Sequence, residues 1–280
     1  QNGLKPVFVD IEFETLNFDV TKIEEKITEK TKGIFVSPVL GNPPDMDYLK
    51  ALCEKYDIKL IGDSCDSIGT KYDGKHLSDY YVAWSSSFYP AHHISTGEGG
   101  MVCTNIEDLK KEFTSFAWWG RDCYCVGSAN LLSCGSCGKR FDNWLSGYDG
   151  IIDHKYVFRN MGYNLKPMDL QGSIGLVQLS KFDEIDTNRK ASKKRIESIL
   201  LRYVEGLKGV KMLEKSDTCW FGTPFVCEDK TLKDKLVSFL EDNMIQTRNY
   251  FAGNVLLHPG YAHLGELNDY PIGNTVLDKV

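Results

Sequence analysis

The first part of the chain alternates short β-rich runs with amphipathic helical stretches. The β-rich runs span residues 7–11, 33–39 and 59–62, and the helical stretches span residues 21–31 and 46–56. This alternation is typical of βαβ units, in which crossover helices join parallel strands. It predicts an α/β fold, a mostly parallel sheet with helices packed on its faces.

Turn and cap signals support this interpretation. Asn42-Pro43-Pro44-Asp45 precedes the second helical stretch, where proline is tolerated at a helix start and Asp45 can accept from free amides. Further along, strand-like runs at 81–88 and 101–104 precede a helical pattern at about 106–117. The layout predicts a doubly wound sheet.

The organisation changes beyond this region. Residues from about 118 to 156 are rich in glycine, serine, cysteine and aromatics without a sustained period, which is too long for a normal connection and indicates a functional insertion. We expect three parts, with both ends of the chain truncated: a cofactor-binding large domain over 1–165 that includes this insertion, a long connecting helix over 166–207, and a smaller C-terminal α+β domain over 208–280.

Composition narrows the class of function. The formal net charge is -6, so the chain has no overall basic field to attract a phosphate backbone, and we expect no nucleic-acid partner. No apolar run approaches the roughly 20 residues that a membrane span needs. We therefore expect a cytoplasmic protein without a membrane partner.

The cysteines are numerous and unevenly placed. Four of the nine, Cys123, Cys125, Cys134 and Cys137, fall within one short stretch. Structural disulfides are rare in a reducing cytoplasm, so this cluster indicates a metal site. Four thiolates commonly hold zinc, and plain reduced cysteines are the other alternative.

An acidic residue follows one of the apolar strands. The strand-like run 59–62 ends at Asp63, at the carboxyl edge of the expected sheet, where α/β folds bind ligands. A carboxylate there can pair with the protonated pyridine nitrogen of a vitamin-B6 cofactor. Asp63 alone could equally be a helix cap or a turn residue.

The segment that follows resembles a known family. Ser87-Phe88-Tyr89-Pro90-Ala91-His92 and Gly97-Glu98-Gly99-Gly100 are similar to the nucleotide-sugar aminotransferases of the DegT/DnrJ/EryC1/StrS family. In that family the segment reads Ser-Phe-x-Pro-x-Lys-x-x-x-x-Gly-Glu-Gly-Gly, and its lysine forms a Schiff base with pyridoxal phosphate (PLP). Aligning the two places His92 on the lysine position. Gly162 to Gln171 also resembles the family, and the resemblance extends over nearly the whole chain outside the insertion.

The resemblance implies a type I PLP-dependent transferase-like fold and a set of cofactor ligands. It implies that Asp63 pairs with the pyridine nitrogen and that Ser87 binds the cofactor phosphate. It also implies a homodimer in which Asn164 or Lys166 reaches the phosphate held by the neighbouring subunit.

Histidine at position 92 changes the chemistry that is possible. An imidazole cannot hold PLP as a stable Schiff base, but it titrates near pH ~6.5 and can act as a general base. The substitution resembles the 3-dehydrases, which use pyridoxamine phosphate (PMP) to remove the C3 hydroxyl of 4-keto-6-deoxy nucleotide sugars. The candidate catalytic residues are His92, Tyr89 and Asp66. The alternative is that these residues only pack, hydrogen-bond or cap.

The cysteines distinguish between two kinds of 3-dehydrase. One kind acts on CDP-4-keto-6-deoxy-D-glucose in 3,6-dideoxyhexose biosynthesis for lipopolysaccharide, has a [2Fe-2S] cluster and works with an NADH-dependent flavin and iron–sulfur reductase. Two-iron clusters need four thiolates. Cys65, Cys123 and Cys125 match the family's first three ligands; Cys134 is our fourth, and Cys137 is its alternative.

Three other functions remain open from the sequence. The cluster-free GDP-4-keto-6-deoxy-mannose 3-dehydratases would contain no iron, and a nucleotide-sugar aminotransferase needs a lysine that the motif lacks. A non-catalytic scaffold of the same fold would fail to bind PMP.

Overall fold

The computed structural model describes residues 3–123, 125, 138–142 and 145–280. Its strands are β1 (Gly33–Val36), β2 (Lys59–Asp63), β3 (Lys71–Tyr72), β4 (Lys75–His76), β5 (Ala83–Ser87), β6 (Gly100–Cys103), β7 (Leu207–Gly209), β8 (Ser216–Asp217) and β9 (Phe225–Cys227). Its α-helices are α1 (Met46–Tyr56), α2 (Glu107–Ala117), α3 (Asp169–Leu179), α4 (Phe182–Tyr203), α5 (Lys230–Asp242) and α6 (Pro271–Lys279).

The central sheet has four strands in the order β1-β2-β5-β6. β1 runs parallel to β2 and β2 runs parallel to β5, while β6 is antiparallel to β5. The mostly parallel α/β sheet predicted from the sequence is therefore confirmed.

Apolar side chains from β1, α1 and β2 form the main core. Val36, Met46, Leu49 and Leu60 are almost completely buried in one hydrophobic cluster. Burying each such side chain contributes about 1.5–3 kcal/mol. Because α1 crosses between the parallel strands β1 and β2, its buried face fixes the two strands relative to each other.

Two smaller sheets join distant parts of the chain. In the order β4-β3-β8, Lys71 and Tyr72 pair with Asp217 and Ser216, and β7 pairs antiparallel with β9. Residues from before and after the long helices thus share one sheet. The division into parts at 1–165, 166–207 and 208–280 stays a prediction.

Helix α1 forms as the sequence predicts. The Asp45 side chain accepts from the Tyr48 amide at 3.0 Å, so it caps the helix start, and Asp57 ends the helix in a left-handed conformation. Both ends use local signals, since the cap residue satisfies an amide that has no partner inside the helix.

Three other elements differ from the sequence predictions. Residues 7–11 form no strand, because the Asp10 carboxylate accepts the amides of Ile272 and Gly273 at the start of α6. The predicted helix at 21–31 is two 3-10 helices, Val20–Lys22 and Glu24–Lys26. The long connecting helix is two helices, α3 and α4, separated by a turn at 180–181.

No helix within the described part of the chain combines the length and the apolar character needed to cross a membrane.

Replacing the α1 cap tests this account of the fold. We expect Asp45→Ala to lower the free energy of unfolding by about 1–2 kcal/mol, because it removes the acceptor for the Tyr48 amide and for the Tyr72 hydroxyl. Asp229→Ala removes a comparable cap from α5 at an exposed position and should cost less. Urea unfolding of both variants makes the measurement, and a larger loss for Asp229→Ala would contradict the interpretation.

Candidate functional site

The carboxyl ends of β2 and β5 form one edge of the sheet. Asp63, the last residue of β2, pairs in register with Ser85 of β5. Its Oδ1 accepts from the Ser85 hydroxyl at 3.1 Å and from the Cys65 amide at 3.1 Å. Because both hydrogen bonds use the same oxygen, the carboxylate is held in place with Oδ2 left for an external donor.

His92 lies against the turn that follows β2. Its Nδ1 is 3.3 Å from Oδ1 of Asp66, and both side chains are only 14% exposed. Burial raises the pKa of Asp66, and the charge of a protonated His92 acts in the opposite direction. The imidazole and the Asp63–Asp66 turn therefore share one pocket at the carboxyl edge of the sheet.

Two aromatic rings border the His92 imidazole. The Phe221 ring centroid lies 5.2 Å away with its plane tilted by 32°, and the Tyr89 ring lies 6.3 Å away in a T-shaped arrangement. Tyr89 is half exposed.

The neighbouring histidine has a different environment. His93 is buried, and its Nε2 lies 2.8 Å from the carbonyl oxygen of Cys219. A carbonyl can only accept, so Nε2 donates. Burial lowers the pKa of His93 to about 4, and Arg189 adds to this effect. His93 is therefore neutral near neutral pH.

A glycine allows these parts to meet. Gly41 has a φ of +90°, and a Cβ there would lie 2.7 Å from the carbonyl oxygens of both Asp66 and Cys219. Any side chain would push apart the turn that holds Asp66 and the segment that contacts His93.

The expected phosphate ligands divide into two groups. Ser87, at the end of β5, accepts the Tyr89 amide at 3.2 Å and lies near His92 along the chain. Asn164 forms an isolated bridge with Trp118, and Lys166 Nζ lies 4.2 Å from the Trp119 ring. Asn164 and Lys166 are exposed, and among the described residues no hydrogen bond or ion pair joins either side chain to Asp63 or His92. Their role towards a neighbouring subunit stays a prediction.

The edge of the sheet fits a PLP-type cofactor. Among the described residues, the buried hydroxyls of Ser64 and Ser67, in the turn that follows β2, have no hydrogen-bond partner. Buried polar groups are normally satisfied, so these atoms indicate a polar ligand. With Oδ2 of Asp63, these hydroxyls are polar groups of the kind that bind such a cofactor.

The predicted cluster ligands are only partly within the described residues. Cys123 and Cys125 are buried and their thiols interact, and burial raises the pKa of Cys123. The Cys65 sulfur lies 4.0 Å from the Ser85 hydroxyl, and burial with the nearby Asp63 raises its pKa to about 12. Cys134 lies outside the described residues, and so does Cys137.

The geometry of the described residues does not complete a cluster. In the ranges that the structure describes, no three histidine, cysteine, aspartate or glutamate side chains are grouped to hold a metal ion. Cys123 and Cys125 could supply two thiolates to one iron, and Cys65 lies beside the pocket of Asp63. The cluster therefore stays a prediction.

Sequence reasoning missed three residues of this site. Ser85 lies two residues before the recognised motif, and its position opposite Asp63 follows once the strands are paired. His93 was adjacent to the residue of interest but had no signal for burial. Phe221 comes from a distant part of the chain, and no local pattern marked it.

The chain is similar to one protein family and to several individual proteins. A model of the DegT/DnrJ/EryC1/StrS aminotransferase family matches residues 1–280. The lipopolysaccharide biosynthesis protein RfbH of Salmonella typhimurium is 41% identical over 266 residues, which cover 94% of this chain and 60% of that protein. The dTDP-4-dehydro-2,6-dideoxy-D-glucose 3-dehydratase of Saccharopolyspora spinosa is 37% identical over 269 residues, which cover 93% of this chain and 56% of that protein.

A solved structure has the same fold. The GDP-4-keto-6-deoxy-D-mannose-3-dehydratase of E. coli, solved with bound hydrated PLP, superposes with a TM-score of 0.80 at 24% identity and covers 97% of this chain and 67% of that one. The predicted PLP-dependent transferase-like fold is confirmed. The chain spans less than two thirds of the two sequence relatives.

The neutral state of His93 predicts a pH dependence of stability. In the unfolded chain a histidine takes up its proton near pH ~6.5, whereas folded His93 does so only near pH 4. Between these values the unfolded state binds more protons, so stability falls as the pH is lowered. We expect the folded state to lose about 3 kcal/mol from this group by pH ~4 relative to pH ~7.

His93→Gln tests this expectation, since glutamine does not titrate. Urea unfolding at neutral and acidic pH should show a smaller loss of unfolding free energy for His93→Gln than for the unmodified protein. His76→Gln, at an exposed position, is the matched control and should keep the full loss. Equal pH dependence in all three proteins would contradict a buried neutral His93.

Proposed function

Because the chain belongs to the DegT/DnrJ/EryC1/StrS aminotransferase family, we propose that it is part of a PMP-dependent nucleotide-sugar 3-dehydrase. Family members are PLP-dependent sugar dehydratases or aminotransferases. The observation that supports the dehydrase is the histidine at position 92, held 3.3 Å from Asp66 in the pocket beside Asp63. A residue that cannot form a Schiff base, but can move a proton, occupies the position of the family's lysine.

Each residue of the site would have a separate chemical role. Bound PMP would supply an amine for the sugar's C4 ketone and a ring that withdraws electrons. Asp63 would hold the ring nitrogen protonated through Oδ2, since its Oδ1 is engaged by Ser85 and Cys65. Ser87 would donate its hydroxyl hydrogen to the phosphate.

His92 would be the proton-transfer group. Its Nδ1 lies beside Asp66, so Nε2 is the nitrogen available to take a proton from carbon and to return it to the departing C3 hydroxyl. Tyr89, half exposed beside the imidazole, would contact the sugar. Asn164 and Lys166, both exposed, would bind the phosphate held by the other subunit of a homodimer.

The choice of substrate and the proposed iron–sulfur cluster both rest on the cysteines. We propose CDP-4-keto-6-deoxy-D-glucose as the substrate and a [2Fe-2S] cluster held by Cys65, Cys123, Cys125 and Cys134. Such a cluster would pass single electrons from an NADH-dependent flavin and iron–sulfur reductase. Cys65 supports this assignment because its amide donates to Asp63, which places a thiol next to the cofactor pocket.

Substitution of His92 tests the dehydrase. We expect His92→Lys and His92→Asn to abolish C3 dehydration in the full-length protein, because asparagine does not titrate and lysine would instead hold PLP as a Schiff base. His92→Lys should also trap added PLP, so that borohydride reduction adds the mass of the cofactor. His76→Lys, on the exposed strand β4, is the control and should show neither effect. Dehydration that survives in His92→Asn would rule out this role.

Anaerobic metal analysis tests the cluster separately. The purified full-length protein should contain about two iron and two sulfide ions per chain and, once reduced, give the electron paramagnetic resonance signal of a two-iron centre. Cys123→Ser should lose both, while Cys103→Ser, outside the proposed ligand set, should keep both. A colourless protein loaded with zinc would replace the cluster by a structural zinc site.

A further inference from the structure

The contact between His92 and Asp66 does not fix the imidazole by itself. Nδ1 is 3.3 Å from the carboxylate, yet it makes no hydrogen bond within the described part of the chain. An ion-pair contact of this kind leaves the ring free to turn about its χ2 angle, which has a broad energy profile. A ring that must present one chosen nitrogen to a substrate needs a second constraint.

The face of the Phe221 ring can provide this second constraint on the imidazole. Its ring lies 5.2 Å from the His92 ring at 32°, which is close to an offset stack, and 6.2 Å from the His93 ring. Tyr89, the other neighbour, is farther away and half exposed. Phe221 is therefore the better-placed ring to limit the plane of His92.

Phe221 is itself anchored through its backbone. Its amide donates to the Leu40 carbonyl at 2.9 Å. Arg189 of α4 donates through Nη1 to the Phe221 carbonyl at 3.0 Å and to the Trp220 carbonyl at 3.2 Å. A guanidinium keeps its charge at all accessible pH values, so this anchor does not titrate.

His93 ties the histidine turn to the same segment. Its Nε2 donates to the Cys219 carbonyl at 2.8 Å, and the Cys219 amide donates to the Thr70 hydroxyl at 3.1 Å. Two adjacent histidines thus contact residues 219–221, one through a hydrogen bond and the other through its ring. The segment is held on both sides, by Thr70 near the sheet and by Arg189 on the helix.

We propose that Phe221, anchored by Arg189, and His93 are positioning residues that set the ring plane of His92, so that Nδ1 stays at Asp66 and Nε2 stays at the reacting centre. This inference rests on the proposed function, since it assigns His92 the proton transfer. It adds to the site Phe221 and Arg189, which lie far from His92 in the sequence.

The first experiment reads the orientation without any reaction. Nitrogen-15 labelling of the histidines in the cofactor-free protein reports which ring nitrogen carries the proton, and His92→Asn assigns the signal. We expect His92 to show predominantly the Nδ1-protonated form in the unmodified protein. Phe221→Leu should shift this signal towards an average of both forms, while Phe221→Tyr, which keeps the ring, should preserve it.

The same variants are then compared as full-length enzymes. Phe221→Leu should lower kcat for dehydration about ten- to a hundred-fold, the loss typical of a misplaced reacting group, with KM changed less than about twofold. Phe221→Tyr should restore most of kcat. Phe239→Leu, at an exposed site on α5, is the matched control and should leave kcat and the His92 signal unchanged.

His93 has its own pair of variants. His93→Gln keeps a donor for the Cys219 carbonyl, whereas His93→Leu removes it. We expect His93→Leu to disturb the His92 signal and to lower kcat, and His93→Gln to stay close to the unmodified protein. Should His93→Leu not fold, the Phe221 variants still decide the question.

Two results would overturn the proposal. One is an unchanged His92 signal in Phe221→Leu, and the other is a normal kcat in that variant. If the unmodified full-length protein shows no dehydration, the proposed function fails, and the nitrogen-15 measurement still decides whether Phe221 and His93 orient the imidazole.

Discussion

The parallel pairing of β2 with β5 sets the positions of Asp63 and Ser85 and of the turns that carry Asp66 and His92. Parallel strands end at the same edge of a sheet, and here the register sets Asp63 opposite Ser85. The Ser85 hydroxyl holds the Asp63 carboxylate in place. The turns that leave the two strands bring Asp66 and His92 into contact. The chemistry of the pocket is therefore a consequence of strand order, because residues far apart in sequence become neighbours only when these two strands pair.

Local signals accounted for much of what the sequence could predict. Helix α1 begins and ends where its cap and its apolar spacing indicate, and Asp45 forms the predicted cap. The residues around Asp63 and His92 lie in compact motifs at the ends of strands, so their positions could be foreseen, although their roles stay predictions. The segment 7–11 has the composition of a strand, yet Asp10 binds the start of α6 instead. The amides that Asp10 binds lie at the other end of the chain, so no local sequence pattern predicts this contact.

Longer-range contacts explain why the surroundings of His92 were not predicted. Phe221 contacts the imidazole from a segment that Arg189 of α4 and the Leu40 carbonyl hold in place. No periodicity or spacing encodes such a contact. The cysteine cluster shows the opposite situation: its spacing is visible in the sequence, while Cys134 lies outside the residues that the structure describes.

The close approach of two backbone segments at Gly41 limits which substitutions this protein can accept. Two carbonyl oxygens lie where a methyl group would stand, one belonging to Asp66 and the other to Cys219. Only a residue without a side chain lets the turn of Asp66 and the segment of Cys219 approach each other this closely. Random or directed mutagenesis of this protein should leave this position as glycine and seek diversity among the exposed residues around Tyr89.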